Sequence, residues 1–240
     1  MVDLSLRSIQ NTAILVFANS AKRDSDIKKI GADVTLFEAL TAQTLEITEA
    51  SGLPYYHLTE KEQHGNTFGE RFTHSLQSVF DKGYANVIAI GNDSPQLKTH
   101  HLLEAHRLLQ QGKSVLGPSM DGGFYLIGFH RSQFNPEQFQ ALPWQSSSLL
   151  KKTQTYFASN GGPVTLLNVL IDVDSKRDIK RLFNFTKTLA KRWLALFSII
   201  FHQKMAIDNI HKKVFKTNFL DIPFNKGSPF FPFPTPVVQV

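Results

Sequence analysis

The sequence predicts a three-layer α/β fold on a mainly parallel mixed sheet. Two observations carry that reading. The strand-like segments are short, continuous apolar runs rich in β-formers, as strands buried on both faces require. They also alternate with helix-like segments along most of the chain, the mark of βαβ units. With 240 residues, 42% of them apolar and 19% charged, the chain is long and apolar enough to bury a substantial core.

Thr12–Ala18 is the first such run. A polar, basic loop is expected over Asn19–Lys29. Leu36, Leu40 and Ile47 then mark a helix that stops at Gly52-Leu53-Pro54, and Tyr55–Leu58 reads as a short second strand. The clearest helix covers Thr67–Lys82, where Phe68, Phe72, Leu76, Val79 and Phe80 share one face and Gly83 ends it. Val87–Ile90 is another buried strand. Leu102, Leu103 and Leu109 belong to the next helix, closed by Gly112. Ser114–Leu116 and Phe124–Phe129 are strands flanking Asp121-Gly122-Gly123. A helix over Ser147–Ala158 and a last strong strand over Val164–Val173 follow. Ser175 and Asp178 form a capping-box pattern that opens a basic helix. These elements make up one domain over residues 1–186.

Residues 187–240 differ in kind: a basic, aromatic extension ends in the Pro- and Phe-rich tail Phe230–Pro236. The net charge is +6, but Ser175–Lys216 alone holds eleven Lys or Arg against two Asp. Such a block is either a solvated helix face or a surface for anionic partners. Packing onto its own domain or a homo-oligomer contact through Trp193–Phe201 ranks above peripheral membrane contact, and no nucleic acid is expected as partner. That apolar run is far shorter than the roughly 20 residues of a membrane span. The chain has no cysteine, which removes disulfides, thiolate metal sites and cysteine nucleophiles. Met1–Gln10 lacks an apolar leader, and a cytoplasmic location is expected.

Ligands of open α/β sheets bind beyond the carboxyl ends of the strands, and acidic residues sit at three such places. Asp93 follows Val87–Ile90, Asp121 follows Ser114–Leu116, and Asp172 and Asp174 end the expected strand Val164–Val173. Carboxylates there can hold Mg²⁺ or Mn²⁺. Each also has a structural alternative: Asp93-Ser94-Pro95 as a turn, Asp121-Gly122 as a hairpin signal, and Asp174-Ser175 as a helix cap. For Glu70 and Arg71 the default is an ion pair. Trp144 is either a core anchor or a stacking surface. The histidines show no metal-ligand spacing.

In combination the segments are more specific. Gln63–Arg71, Gly91-Asn92-Asp93-Ser94-Pro95, Gly117–Gly128, Pro143-Trp144 and Asp172–Asp178 occur in this order over roughly Thr12–Leu182. In that order they resemble the rSAM/selenodomain-associated transferase family (domain of unknown function 2064). That family is similar to glycosyltransferase-A enzymes and to the molybdenum-cofactor and 2-phospholactate guanylyltransferases. The resemblance implies a glycosyltransferase-A-like fold and a nucleotide or nucleotide sugar as ligand. It also implies metal binding by Asp93 and Asp174, with Asp172 beside them, and a catalytic site comprising Asp93 and Asp121. Gly91, Ser94, Gly122, Gly123 and Arg71 would border the ligand, the glycines because they let backbone approach it closely. The family's Pro-Gly-x-x-Lys-Thr-Arg segment is replaced here by Asn19–Lys29. There Lys22, Arg23, Lys28 or Lys29 either pairs with phosphates or faces solvent. The expected function is metal-dependent transfer from a nucleotide-activated donor to an unknown acceptor, first as a glycosyltransferase. The alternatives are a nucleotidyltransferase acting on a phosphorylated acceptor, or a relative that binds nucleotide without turnover.

Overall fold

A computed structural model of the chain describes residues 11–28, 30, 34–183 and 191–198. Met1–Gln10 and the Pro- and Phe-rich tail lie outside the described residues.

Six strands form one sheet: β1 (Thr12–Phe17), β2 (Tyr55–Leu58), β3 (Asn86–Ile90), β4 (Ser114–Pro118), β5 (Phe124–His130) and β6 (Val164–Leu166). Their spatial order is β2-β1-β3-β5-β4-β6. β1 pairs in parallel with β2 and β3, and β4 with β6. Only β5 runs against its neighbours, so the sheet is mixed and mainly parallel, as expected.

The helices explain why the strands read as unbroken apolar runs. In β1, Ile14 and Val16 join a core with Ile88, Ile90, Leu102 and Leu109. Ala13 and Leu15 point the other way, toward Phe72, Leu76, Val79, Phe129 and Phe157. Successive side chains of a strand alternate faces, so a strand with helices on both faces needs apolar residues at every position. The first face is covered by α2 (Val34–Glu49) and α4 (Thr99–Gln110). The second is covered by α3 (Phe68–Phe80), α5 (Pro136–Gln140) and α6 (Leu149–Ser159).

Local sequence fixes the helix ends. Thr67 caps α3: its side chain accepts from the Glu70 N–H at 3.2 Å, and the Glu70 carboxylate accepts from the Thr67 N–H at 3.3 Å. Glu70 therefore caps the helix instead of pairing with Arg71, because neighbours in sequence do not face each other on a helix.

Two segments depart from the sequence reading. Asn19–Lys29, expected as a loop, contains α1 (Ala21–Lys28). This helix has no apolar stripe, and its inward residue is Asp24, 4% exposed. Its stability comes from polar tertiary contacts rather than from apolar periodicity. The Ser20 N–H and hydroxyl donate to the Glu60 carboxylate at 2.6 and 2.7 Å. Asp24 accepts from the Asn19 amide at 2.8 Å.

The strand expected over Val164–Val173 pairs regularly only over Val164–Leu166. The chain then returns to β4 at an isolated bridge between Ser119 and Leu170. One more residue lies between Leu166 and Leu170 than between their partners Leu116 and Ser119, the signature of a bulge. The irregularity coincides with Pro118, which has no N–H to offer a ladder.

Helix α7 (Lys176–Phe183) is amphipathic, with Ile179 and Leu182 buried. Residues 191–198 are helical and pack on α2: Trp193 is 1% exposed and Phe197 fully buried. The Trp193 indole N–H donates to the Gln43 side-chain oxygen, and Arg192 pairs with Glu46 at 3.0 Å. Among the described residues no helix is long and apolar enough to cross a membrane.

Candidate functional site

The site forms where two backbone segments are stitched together past the carboxyl end of β3. The Val173 N–H donates to the Asp93 carbonyl at 2.8 Å, and the Ile171 N–H to the Gln96 side-chain oxygen at 3.1 Å. The Ser94 hydroxyl donates to the Asp172 carboxylate. The bulge after β6 thus delivers Asp172 and Asp174 to the loop that carries Asp93. Behind that loop, Gln43 of α2 donates to the carbonyls of Pro95 and Leu97 at 3.0 and 3.3 Å.

Between the carboxylates lies the ammonium of Lys28, the last residue of α1. It is 3.0 Å from Asp93 Oδ2, 2.9 Å from Asp174 Oδ1 and 3.2 Å from the Val173 carbonyl. Its side chain is 14% exposed. Asp24 and Lys28, four residues apart, share the inward face of α1, while Lys22 and Arg23 are exposed. Burial works against the charge on Lys28, but Asp93 and Asp174 outweigh it, and its pKa is raised.

Burial and mutual repulsion shift two carboxyls of the cluster toward their neutral forms. Burial, followed by the charge of Asp93, holds the Asp172 carboxyl well above the usual range, against the opposing hydrogen bond from Ser94. Asp174 is also raised, first by desolvation and then by Asp93, with Lys28 opposing. Tyr125, which donates to the Asn168 carbonyl at 3.1 Å, is raised by burial and by Asp172.

Asp121 sits in the connection from β4 to β5, exposed and close enough to raise both Asp172 and Asp174. Its carboxylate also organises the turn, accepting from the Gly123 N–H at 3.0 Å and from the Ser119 hydroxyl. Gly122 has φ +95°, and a Cβ there would lie 2.6 Å from the Ser147 carbonyl oxygen, so only glycine fits. Gly91 faces the Asp93 carboxylate, 3.1 Å from where its Cβ would be.

The structure thus brings together Asp93, Asp172, Asp174, Ser94 and Gly91, with Asp121, Gly122 and Gly123 alongside. Arg71, in the first turn of α3, donates to the Asn66 carbonyl at 3.4 Å. Trp144 packs among Phe68, Phe72, Phe124 and Phe139 and is an anchor of the second core. Sequence reasoning placed Lys28 among phosphate-pairing candidates and gave Asp24 no role. The four-residue spacing of the two was visible, but it has meaning only on a helix, and no apolar period announced one. Among the described residues no three His, Cys, Asp or Glu side chains are grouped as a ready cation cage.

Comparison with solved structures supports the fold. A provisionally assigned nucleotide-diphospho-sugar transferase from Desulfovibrio desulfuricans G20 superposes with a TM-score of 0.63 at 21% identity, covering 82% of this chain and 96% of that one. Rv0371c of Mycobacterium tuberculosis H37Rv, crystallised with manganese, gives 0.39 at 15% identity, covering 72% and 97%. The 4-diphosphocytidyl-2C-methyl-D-erythritol synthase of Anaerococcus prevotii DSM 20548 gives 0.42 at 11%, covering 75% and 99%. None of the curated proteins compared with the chain matches it. The fold is that of the nucleotide-diphospho-sugar transferases. A family profile matches residues 19–146, a span that holds the Asp93 loop, the Asp121 turn and Trp144. The chain therefore belongs to the family described as uncharacterized protein conserved in bacteria, DUF2064.

Proposed function

We propose that this protein is a transferase that takes a glycosyl group from a nucleotide-activated donor, with Mg²⁺ or Mn²⁺ held by Asp93 and Asp174 and supported by Asp172. The observation that carries this reading is the meeting of the Asp93 and Asp174 carboxylates on one ammonium past the carboxyl end of β3, with Asp172 bonded to Ser94 beside them, where open α/β sheets bind ligands.

The residues suit a hard divalent cation. The side-chain acceptors are carboxylates, the ligands such ions prefer. Lys28 touches both Asp93 and Asp174, so those oxygens lie within about 6 Å of one another. Two oxygens sharing one ion sit at most about 5 Å apart, a spacing that small side-chain rotations can reach. Burial raises Asp172 and Asp174, with Asp93 adding to it, and a divalent cation in contact would favour their charged forms. Bound there, the ion would neutralise charge on the diphosphate leaving group.

The protein's own groups have distinct tasks in this reading. Ser94 fixes the orientation of Asp172 through its hydrogen bond. Gly91 leaves room beside Asp93, and Asp121 with Gly122 and Gly123 borders the acceptor side. Lys22, Arg23 and Arg71 supply positive charge for the nucleotide phosphates.

Calorimetry with UDP-glucose and GTP, each with and without Mn²⁺, tests the proposal. Metal-dependent binding of a nucleotide by the wild type, lost in Asp93→Ala, is the expected result. Absence of nucleotide binding in every combination would overturn it. Products then decide the reaction: pyrophosphate released from GTP with a phosphorylated acceptor would assign nucleotidyl transfer in place of glycosyl transfer.

A further inference from the structure

The position of Lys28 raises a question that the carboxylates alone do not. An ammonium has three N–H donors, and here three oxygens receive it, from Asp93, Asp174 and the Val173 carbonyl, at 3.0, 2.9 and 3.2 Å. The group is saturated and largely buried. Asp93 and Asp174 are the residues assigned above to the divalent ion. A cation about 2.0–2.6 Å from both carboxylates would occupy nearly the same space as Nζ, and their like charges would repel strongly at that range.

We propose that Lys28 is the resident cation of this site and competes directly with the divalent ion, which binds only as the ammonium is displaced. The inference rests on the metal reading under Proposed function. Lys28 closes α1, where the negative end of the helix dipole also favours a positive charge. Its three hydrogen bonds hold the two carboxylates together, and an incoming ion must break them. A merely structural ion pair would behave differently. The ion would then bind beside Lys28, and removal of the lysine would loosen the loop and weaken the ion's hold.

The test compares Mn²⁺ affinity by calorimetry in the full-length wild type and in Lys28→Gln, with Lys28→Arg as the variant that keeps the charge. Lys28→Gln is expected to bind Mn²⁺ about tenfold more tightly or better, as removal of a like charge in contact requires, and Lys28→Arg to gain nothing. Mn²⁺ binding by Lys28→Gln alone, with none in the wild type, supports the proposal equally. Equal or weaker affinity in Lys28→Gln, with the wild type binding, overturns the competition and leaves the metal reading standing. No Mn²⁺ binding by either protein removes both.

A second measurement covers the case in which Lys28→Gln does not fold, as judged by circular dichroism. It uses only the wild type, acylated with an amine reagent and read by mass spectrometry. Lys28 is expected to be protected without metal and labelled several times faster with saturating Mn²⁺. Labelling that Mn²⁺ leaves unchanged overturns the proposal.

Discussion

At the scale of single residues, most of the candidate site was legible as residue types at strand ends, while its cohesion was not. Asp93, Asp121, Asp172 and Asp174 could be named because they follow buried strands in an order that resembles a known family, although singly they also read as turn or cap residues. The hydrogen bond from Ser94 to Asp172 and the ammonium bridge from Lys28 join residues 78 and 65 positions apart, separations that no local pattern encodes. His101 is another residue whose behaviour depends on packing. It is 8% exposed, accepts from the Lys98 N–H at 3.0 Å, and its pKa is lowered to about 4 by burial, then by His100 and Lys98. A histidine that is harder to protonate when folded favours the folded state while neutral. Its contribution is complete above the unfolded value near 6.5 and is lost as pH falls toward about 4. The loss should amount to roughly 1–3 kcal/mol, the lower figure allowing for partial solvent access. Urea unfolding between pH 7 and 4 should show the wild type losing more stability than His101→Asn. Parallel curves would refute it.

Elements were legible in proportion to how far apolar periodicity shaped them. α3 has both a continuous apolar face and a capping box, and its observed span falls within the expected one. Thr67→Ala, which removes the side-chain acceptor of that box, should cost about 1 kcal/mol in equilibrium unfolding. Thr67→Ser should recover most of it, and equal stability of all three proteins would contradict the role given to the cap. α1 shows the opposite case. Its helical state depends on Ser20 meeting Glu60 and on Asp24 meeting Asn92, contacts between residues far apart in the chain that are made only once the domain has folded. The strand after α6 was expected to be too long for a related reason. Val164–Val173 is apolar enough to be a strand throughout, but the partner strand has no N–H at Pro118, and the pairing breaks beside it.

For the molecule as a whole, the alternation of apolar runs and helices was enough to indicate a mainly parallel sheet, while the antiparallel placement of β5 between β3 and β4 was not specified by any one segment. The basic, aromatic extension is partly resolved in meaning: Trp193 and Phe197 are buried on their own domain. The means of attachment has an optical consequence. Gln43 offers its two N–H groups to the backbone of the Asp93 loop and its oxygen to the Trp193 indole, so one amide touches both the loop proposed to bind ligand and a fluorophore. A shift of that loop on ligand binding would alter the hydrogen bonding of the indole and with it the emission maximum. With Trp144→Phe leaving Trp193 as the only tryptophan, titration of nucleotide and Mn²⁺ should move that emission, and Gln43→Leu should uncouple the signal from binding measured by calorimetry. An unchanged spectrum at saturation would mean that the loop is rigid on binding. A moving spectrum makes the helix over residues 191–198 a built-in gauge of occupancy.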